Sequence, residues 1–138
     1  MKPVDQTRFY EAGKSAGNCQ QAATASLLGL ELHEVPNFIE HPHGFWQSFW
    51  EFMASRGLIA IELSGERAFD CFYLAYGPSP RGVSHAVVYR DGALAHDPHP
   101  SRAGILLVET TTLVMPIDLQ AWTGPPILEA RWGSQRPY

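Results

Sequence analysis

Hydrophobic and polar positions divide this chain into a helical front and a strand-rich back. Residues 1–18 are polar with interspersed glycine and read as an extended or irregular lead-in. The run from Cys19 to Leu28 is rich in good helix formers, with Asn18 placed to cap its start and Gly29 its end. Ala22, Ala25, Ser26 and Gly29 form a stripe of small residues, as a helix pressed closely against a sheet requires. Residues 30–36 read as a turn or single helical turn stopped by Pro36. A second helix is expected from Phe45 to Arg56, closed by Gly57. Its Phe45, Trp46, Phe49, Trp50, Phe52 and Met53 recur at helical spacing, which reads as core or a seam between elements.

From residue 58 the pattern becomes β-prone. Strands are expected at 58–63, 71–76, 84–89, 93–96 and 105–109, with another near 112–115. Asp91-Gly92 lies between two of these runs and is a strong hairpin signal. No structure is expected in the Pro- and Gly-rich stretch after Trp122, so the tail 123–138 reads as irregular. Helices first and antiparallel strands afterwards predict an α+β fold, and no repeat or linker divides residues 1–138 into more than one domain.

Composition narrows the function classes. With 138 residues, 45% hydrophobic and 17% charged, the chain has the make-up of a soluble globular domain. A net charge of −4 and scattered Lys and Arg argue against nucleic acid as a partner. The N-terminal residues lack the apolar stretch of a signal peptide, and no segment reaches the roughly 20 apolar residues of a membrane span. A cytoplasmic protein without membrane association is expected. Cys19 and Cys71 are too few for a disulfide framework and are read as free thiols, although a single bridge between them stays open.

Cys19 stands at the opening turn of the expected first helix, where unpaired backbone N–H groups and the helix dipole favour a thiolate. His85 opens the first strand of the hairpin and Asp97 follows the second. Pairing across Asp91-Gly92 sets position 85 opposite 97 or 98, so the carboxylate is placed to fix the tautomer of the imidazole. Nucleophile, base and orienting group are therefore Cys19, His85 and Asp97. Plainer readings exist for each. Cysteine is often buried for packing alone, a strand histidine needs no chemical role, and Asp-Pro forms turns. Cys71, inside an apolar run, reads as a core thiol. His96, Asp97 and His99 invite a metal reading, but zinc ligands usually come from separate elements, and no metal or cofactor is expected. His33, His41 and His43 read as solvated loop residues.

Gly17-Asn18-Cys19-Gln20-Gln21-Ala22-Ala23, Ser84-His85-Ala86-Val87-Val88-Tyr89 and Asp97-Pro98 together resemble the papain-like cysteine peptidase superfamily, nearest to its C39-like bacterial members and to small bacterial or phage proteins of this size. The likeness covers roughly residues 5–100. It implies a central helix beginning at the cysteine, packed with its neighbours on a C-terminal antiparallel sheet. It also implies cysteine-dependent hydrolysis of a peptide, isopeptide or amide bond in a protein or peptide substrate. Gln6 is the position matching the family's oxyanion donor, with Gln20 and Gln21 as further candidates. Gln20 stands where C39-like peptidases usually have Gly, which leaves acyl transfer, protein deamidation and a non-catalytic binding role open. For a binding role the surfaces are the Phe45–Met53 helix and the polar tail 133–138. A substrate groove is expected from the loops 36–44, 64–70 and 77–83.

Overall fold

The structure, a computed structural model, describes residues 1–118; the tail regions 123–138 and 133–138 lie outside the described residues. The element order is β1 (Tyr10–Glu11), β2 (Ser15–Ala16), α1 (Cys19–Leu28), α2 (Phe45–Ser55), β3 (Leu58–Ser64), β4 (Phe72–Pro78), β5 (Ser84–Arg90), β6 (Ala93–His96) and β7 (Thr110–Pro116). Single 3₁₀ turns at Leu32–Glu34 and Phe38–Glu40 join the helices. Strands β3 to β7 form one antiparallel sheet in the order β3-β7-β4-β5-β6. The fold is α+β. No helix among the described residues is long and apolar enough to cross a membrane.

Helix α1 lies against β5 and β4, and α2 lies against β3. Both meet in one core, in which Ala23, Ala25, Leu27, Leu28, Phe49 and Met53 pack on Leu58, Leu74, Ala86, Val88 and Val114. Small side chains on α1 allow its backbone to approach the sheet, while Leu27 and Leu28 supply burial worth about 1.5–3 kcal/mol each. The helix bearing Cys19 is thereby held as a rigid support. Gly29 takes the left-handed conformation (φ 68°) that ends it.

Four local outcomes differ from the sequence pattern. Residues 105–109 do not form a strand: Leu106 N–H bonds Pro78 O and Glu109 N–H bonds Tyr76 O, and the chain bulges between those contacts. The bulge carries the Leu107 carbonyl over Gly77, where a Cβ would sit 1.9 Å from its oxygen. The lead-in is not wholly irregular, since β1 and β2 make a small separate hairpin. The α2 stripe is only partly covered: Phe49 and Met53 are buried, whereas Trp46 and Trp50 are exposed, because the helix is longer around its circumference in aromatics than the face that β3 covers. Asn18 occupies the N-cap position yet makes no cap bond; its Oδ1 accepts the N–H groups of Thr7 and Arg8 instead.

Candidate active site

Cys19 enters the site from the first turn of α1. Because the Asn18 side chain faces the N-terminal segment, it does not cover the unpaired N–H groups of that turn. These groups point toward the helix entrance, where negative charge is favoured. Cys19 is partly exposed and Cys71 buried, and no disulfide joins them.

His85 comes from the second position of β5. The hairpin turn has positive φ at both Asp91 (52°) and Gly92 (75°), as a tight two-residue connection needs. A bulge between Val88 and Tyr89 then shifts the ladder, pairing Val88 with His96. Continued along the strands, that register puts position 99, not 97 or 98, across from His85. The His99 ring indeed stands 6.2 Å from the His85 ring, edge to face. Asp97 nevertheless reaches His85 from just beyond the end of β6: Oδ1 lies 2.6 Å from Nε2, with the two side chains 0% and 3% exposed.

The carboxylate is held from three sides. Besides the imidazole, Asp97 Oδ1 accepts the His99 N–H and Oδ2 accepts the Gly104 N–H. Burial works against the ionised form, but the His85 bond and the two backbone donors outweigh it and bring Asp97 down to about 2. For His85, burial likewise opposes charge. The Asp97 bond, the neighbouring Cys19 thiol and the charges of both partners reverse that effect and raise His85 to about 9. With Nε2 committed to Asp97, Nδ1 is the nitrogen left to meet the Cys19 sulfur.

An open cleft of about 250 Å³ lies over these groups, lined by Gln6, Phe9, Tyr10, Ala16, Cys19, Arg81, Val83, Ser84, His85 and His99. Gln6 is buried; its Nε2 donates to Arg8 O at 2.9 Å, which leaves one N–H of that amide uncommitted, while Oε1 is buried without a partner. The structure thus gathers Cys19, His85 and Gln6 around one opening, with Asp97 behind His85. Gln20 turns elsewhere and bonds the Tyr76 hydroxyl, and Gln21 bonds the carbonyls of Leu32 and Val35.

The cleft walls differ from the expected groove. Only the 77–83 loop contributes, through Arg81 and Val83, and neither 36–44 nor 64–70 lines it. Their place is taken by the β1–β2 hairpin with Phe9, Tyr10 and Ala16, and by His99, because the N-terminal segment folds back along α1 rather than trailing away. Three links pin that segment. Val4 exchanges hydrogen bonds with the Ser26 hydroxyl, Gln6 N–H bonds Pro98 O, and Asp5 receives both terminal nitrogens of Arg102. Arg102 also bonds the Asp97 carbonyl, so one guanidinium ties Asp5, next to Gln6, to Asp97. Nothing in the sequence pattern marks Arg102 for this. Asn18 carried a signal, as a cap, for a different bond.

The side chains behind the metal reading diverge. His96 Nε2 bonds Val4 O, Asp97 turns to His85, and His99 Nδ1 bonds Ser101 Oγ. Among the described residues no group of three or more His, Cys, Asp or Glu is arranged to hold a metal ion. His43 pairs with Glu51 on the surface.

No family model, no curated protein and no solved structure matches the chain.

Proposed function

We propose that this protein is a cysteine-dependent hydrolase of peptide, isopeptide or other amide bonds, built on a papain-like plan, with Cys19 as nucleophile, His85 as base and Asp97 as orienting residue. One observation carries the reading: His85 is bonded to a buried carboxylate and shares a solvent-open cleft with Cys19, whose thiol at an uncapped helix start is near enough to help raise the imidazole. A histidine and an aspartate buried for packing alone have no need of a free cysteine beside the ring.

In the proposed cycle the Cys19 sulfur, its proton already resting on His85, bonds the acyl carbon. Negative charge gathers on the former carbonyl oxygen, toward the Cys19 backbone N–H and the uncommitted N–H of Gln6. The carbon–nitrogen bond then breaks, and His85 returns the proton to the departing amine. Water, losing a proton to His85, attacks the thioester, the carbon–sulfur bond breaks, and the acid leaves. Asp97 stays ionised throughout and stabilises the imidazolium.

Alkylation at pH 6 with iodoacetamide tests the reading. Cys19 reacts faster than glutathione under the same conditions, and Cys19→Ala abolishes the fast modification. A Cys19 that reacts no faster than glutathione overturns the proposal.

A further inference from the structure

The chain carries a net charge of −4, yet the residues lining the catalytic cleft include no aspartate or glutamate. Asp97 is turned beneath His85 and sealed from the opening. The charges that face the cleft are cationic. Arg81 stands at its rim with no carboxylate partner among the described residues; its one side-chain bond goes to Ser101 Oγ at 3.1 Å. Of the exposed arginines elsewhere among the described residues, Arg56 lies over the Phe52 ring and Arg67 bonds the Ser64 carbonyl, while two others take carboxylates. Arg8 is matched by Glu40 and Arg102 by Asp5, each through two nitrogens. What sets Arg81 apart is that its unfilled fork stands beside the reacting sulfur's cleft.

The neighbouring ring is His99, which burial and the nearby Arg81 lower, and Phe9 packs edge-to-face against it at 5.4 Å. Aromatic surface from Phe9 and Tyr10 faces the same opening, both residues being largely exposed. A planar anion lying against such a wall meets two matched donors at Arg81 and no repelling acid.

We infer that Arg81 is a specificity-determining residue that selects substrates bearing a carboxylate close to the bond cleaved. The inference rests on the proposed role of Cys19 and names the substrate class for that site. Two kinds of carboxylate present this chemistry: the α-carboxylate at a peptide's C-terminus, and an aspartate or glutamate side chain.

Paired thiol reagents read the effect without knowledge of the natural substrate. Iodoacetate and iodoacetamide alkylate by one route: the Cys19 sulfur, its proton already held by His85, bonds the methylene carbon and iodide leaves. They differ only in charge. His85 attracts iodoacetate in every variant, so the contribution of Arg81 is the change in the iodoacetate-to-iodoacetamide rate ratio on substitution. Arg81→Gln lowers that ratio about tenfold, Arg81→Lys recovers part of it, and Arg56→Gln, remote from the cleft lining, leaves it where it was. A second set of probes separates the sources. Chloroacetyl-Gly-Asp amide is compared with chloroacetyl-Gly-Asn amide, and chloroacetyl-Gly-Gly acid with its amide. The pair with the larger preference for its acid member identifies the carboxylate, provided the preference falls in Arg81→Gln. A ratio unmoved by Arg81→Gln, or no acid preference in either pair, overturns the inference while leaving rapid alkylation of Cys19 intact. Slow alkylation by both reagents instead defeats the underlying thiol mechanism.

Discussion

His85 Nε2 and Asp97 Oδ1 lie 2.6 Å apart with both side chains almost sealed from solvent. A pair so placed is costly to break from one side, because the remaining group stays buried without its partner. It also fixes which ring nitrogen is left for Cys19. Packing, protonation and proposed chemistry therefore depend on one bond.

Replacing Asp97 with Asn keeps the shape and removes the charge. The His85 titration, raised to about 9 in the intact pair, moves back toward the ordinary histidine range. NMR of the His85 ring over pH 5–10 measures this directly. Cys19-dependent turnover falls by roughly 10²–10⁴, since an amide in place of the carboxylate neither stabilises imidazolium nor enforces the tautomer. Asp97→Ala, which also strands the His99 and Gly104 N–H groups, costs about 3 kcal/mol or more of stability in urea unfolding.

The pair also sets a stability window. His85 is raised on folding, so its contribution is complete below its unfolded value near 6.5 and is lost as pH climbs through about 9. Asp97 is lowered, so its contribution is complete above about 3.8 and is lost as pH falls through about 2. Unfolding free energy contributed by these groups is greatest between roughly pH 4 and 6.5 and declines on the alkaline side. Urea titrations at pH 6 and 9.5 check this. The alkaline decline is smaller in Asp97→Asn, whose His85 is no longer held up; an equal decline in that variant assigns it to other groups.

How much of this was legible beforehand follows from range along the chain. Helix α1 and the β5–β6 turn are specified locally, by helix formers ending at Gly29 and by Asp91-Gly92, so both are readable from the sequence. The His85–Asp97 proximity was readable only approximately. A bulge at Val88/Tyr89 moves the register, and the contact survives because Asp97 bends back from beyond β6 on the His99 and Gly104 N–H groups. Residues 105–107 have apolar, β-prone side chains, and only the tertiary demand that Leu107 O cover Gly77 explains why they are not a strand. Beyond the 77–83 loop the cleft walls were illegible, because Phe9 and Tyr10 reach the site through contacts such as Asn18 to Thr7 and Asp5 to Arg102, up to 97 residues apart, which no periodicity records.

Asn18 offers a way to separate capping from tethering. A conventional N-cap loss weakens α1 itself. Here Asn18→Ala frees the N–H groups of Thr7 and Arg8, so amide exchange accelerates first at those two residues and at β1, with α1 protection largely kept. Stability falls by about 1–2 kcal/mol. Faster exchange confined to the first turn of α1 contradicts the tether.

Gln6 is expected to act on the oxyanion and not on the thiol. Alkylation of Cys19 develops no oxyanion, whereas acylation by p-nitrophenyl acetate does. Gln6→Ala therefore lowers the acylation burst by roughly 10–10²-fold and leaves the iodoacetamide rate within about twofold. Equal losses in both reactions would show that Gln6 matters only for holding the Phe9–Tyr10 segment, since its Nε2 also supports Arg8 O.

Gly77 pairs with His85 across β4 and β5, and the Leu107 carbonyl rests where its side chain would be. A methyl group there meets backbone oxygen at 1.9 Å, so relief requires moving the 105–109 segment, not a flexible side chain. That segment is bonded to Pro78 O and Tyr76 O and runs on from Gly104, the donor to Asp97 Oδ2. Gly77→Ala therefore destabilises the fold by about 3 kcal/mol and, through the Gly104 donor, loosens the hold on Asp97. Urea unfolding measures the first effect. The second appears as an altered His85 titration under conditions where the variant remains folded, and a wild-type titration there would show that the strain stops short of the site.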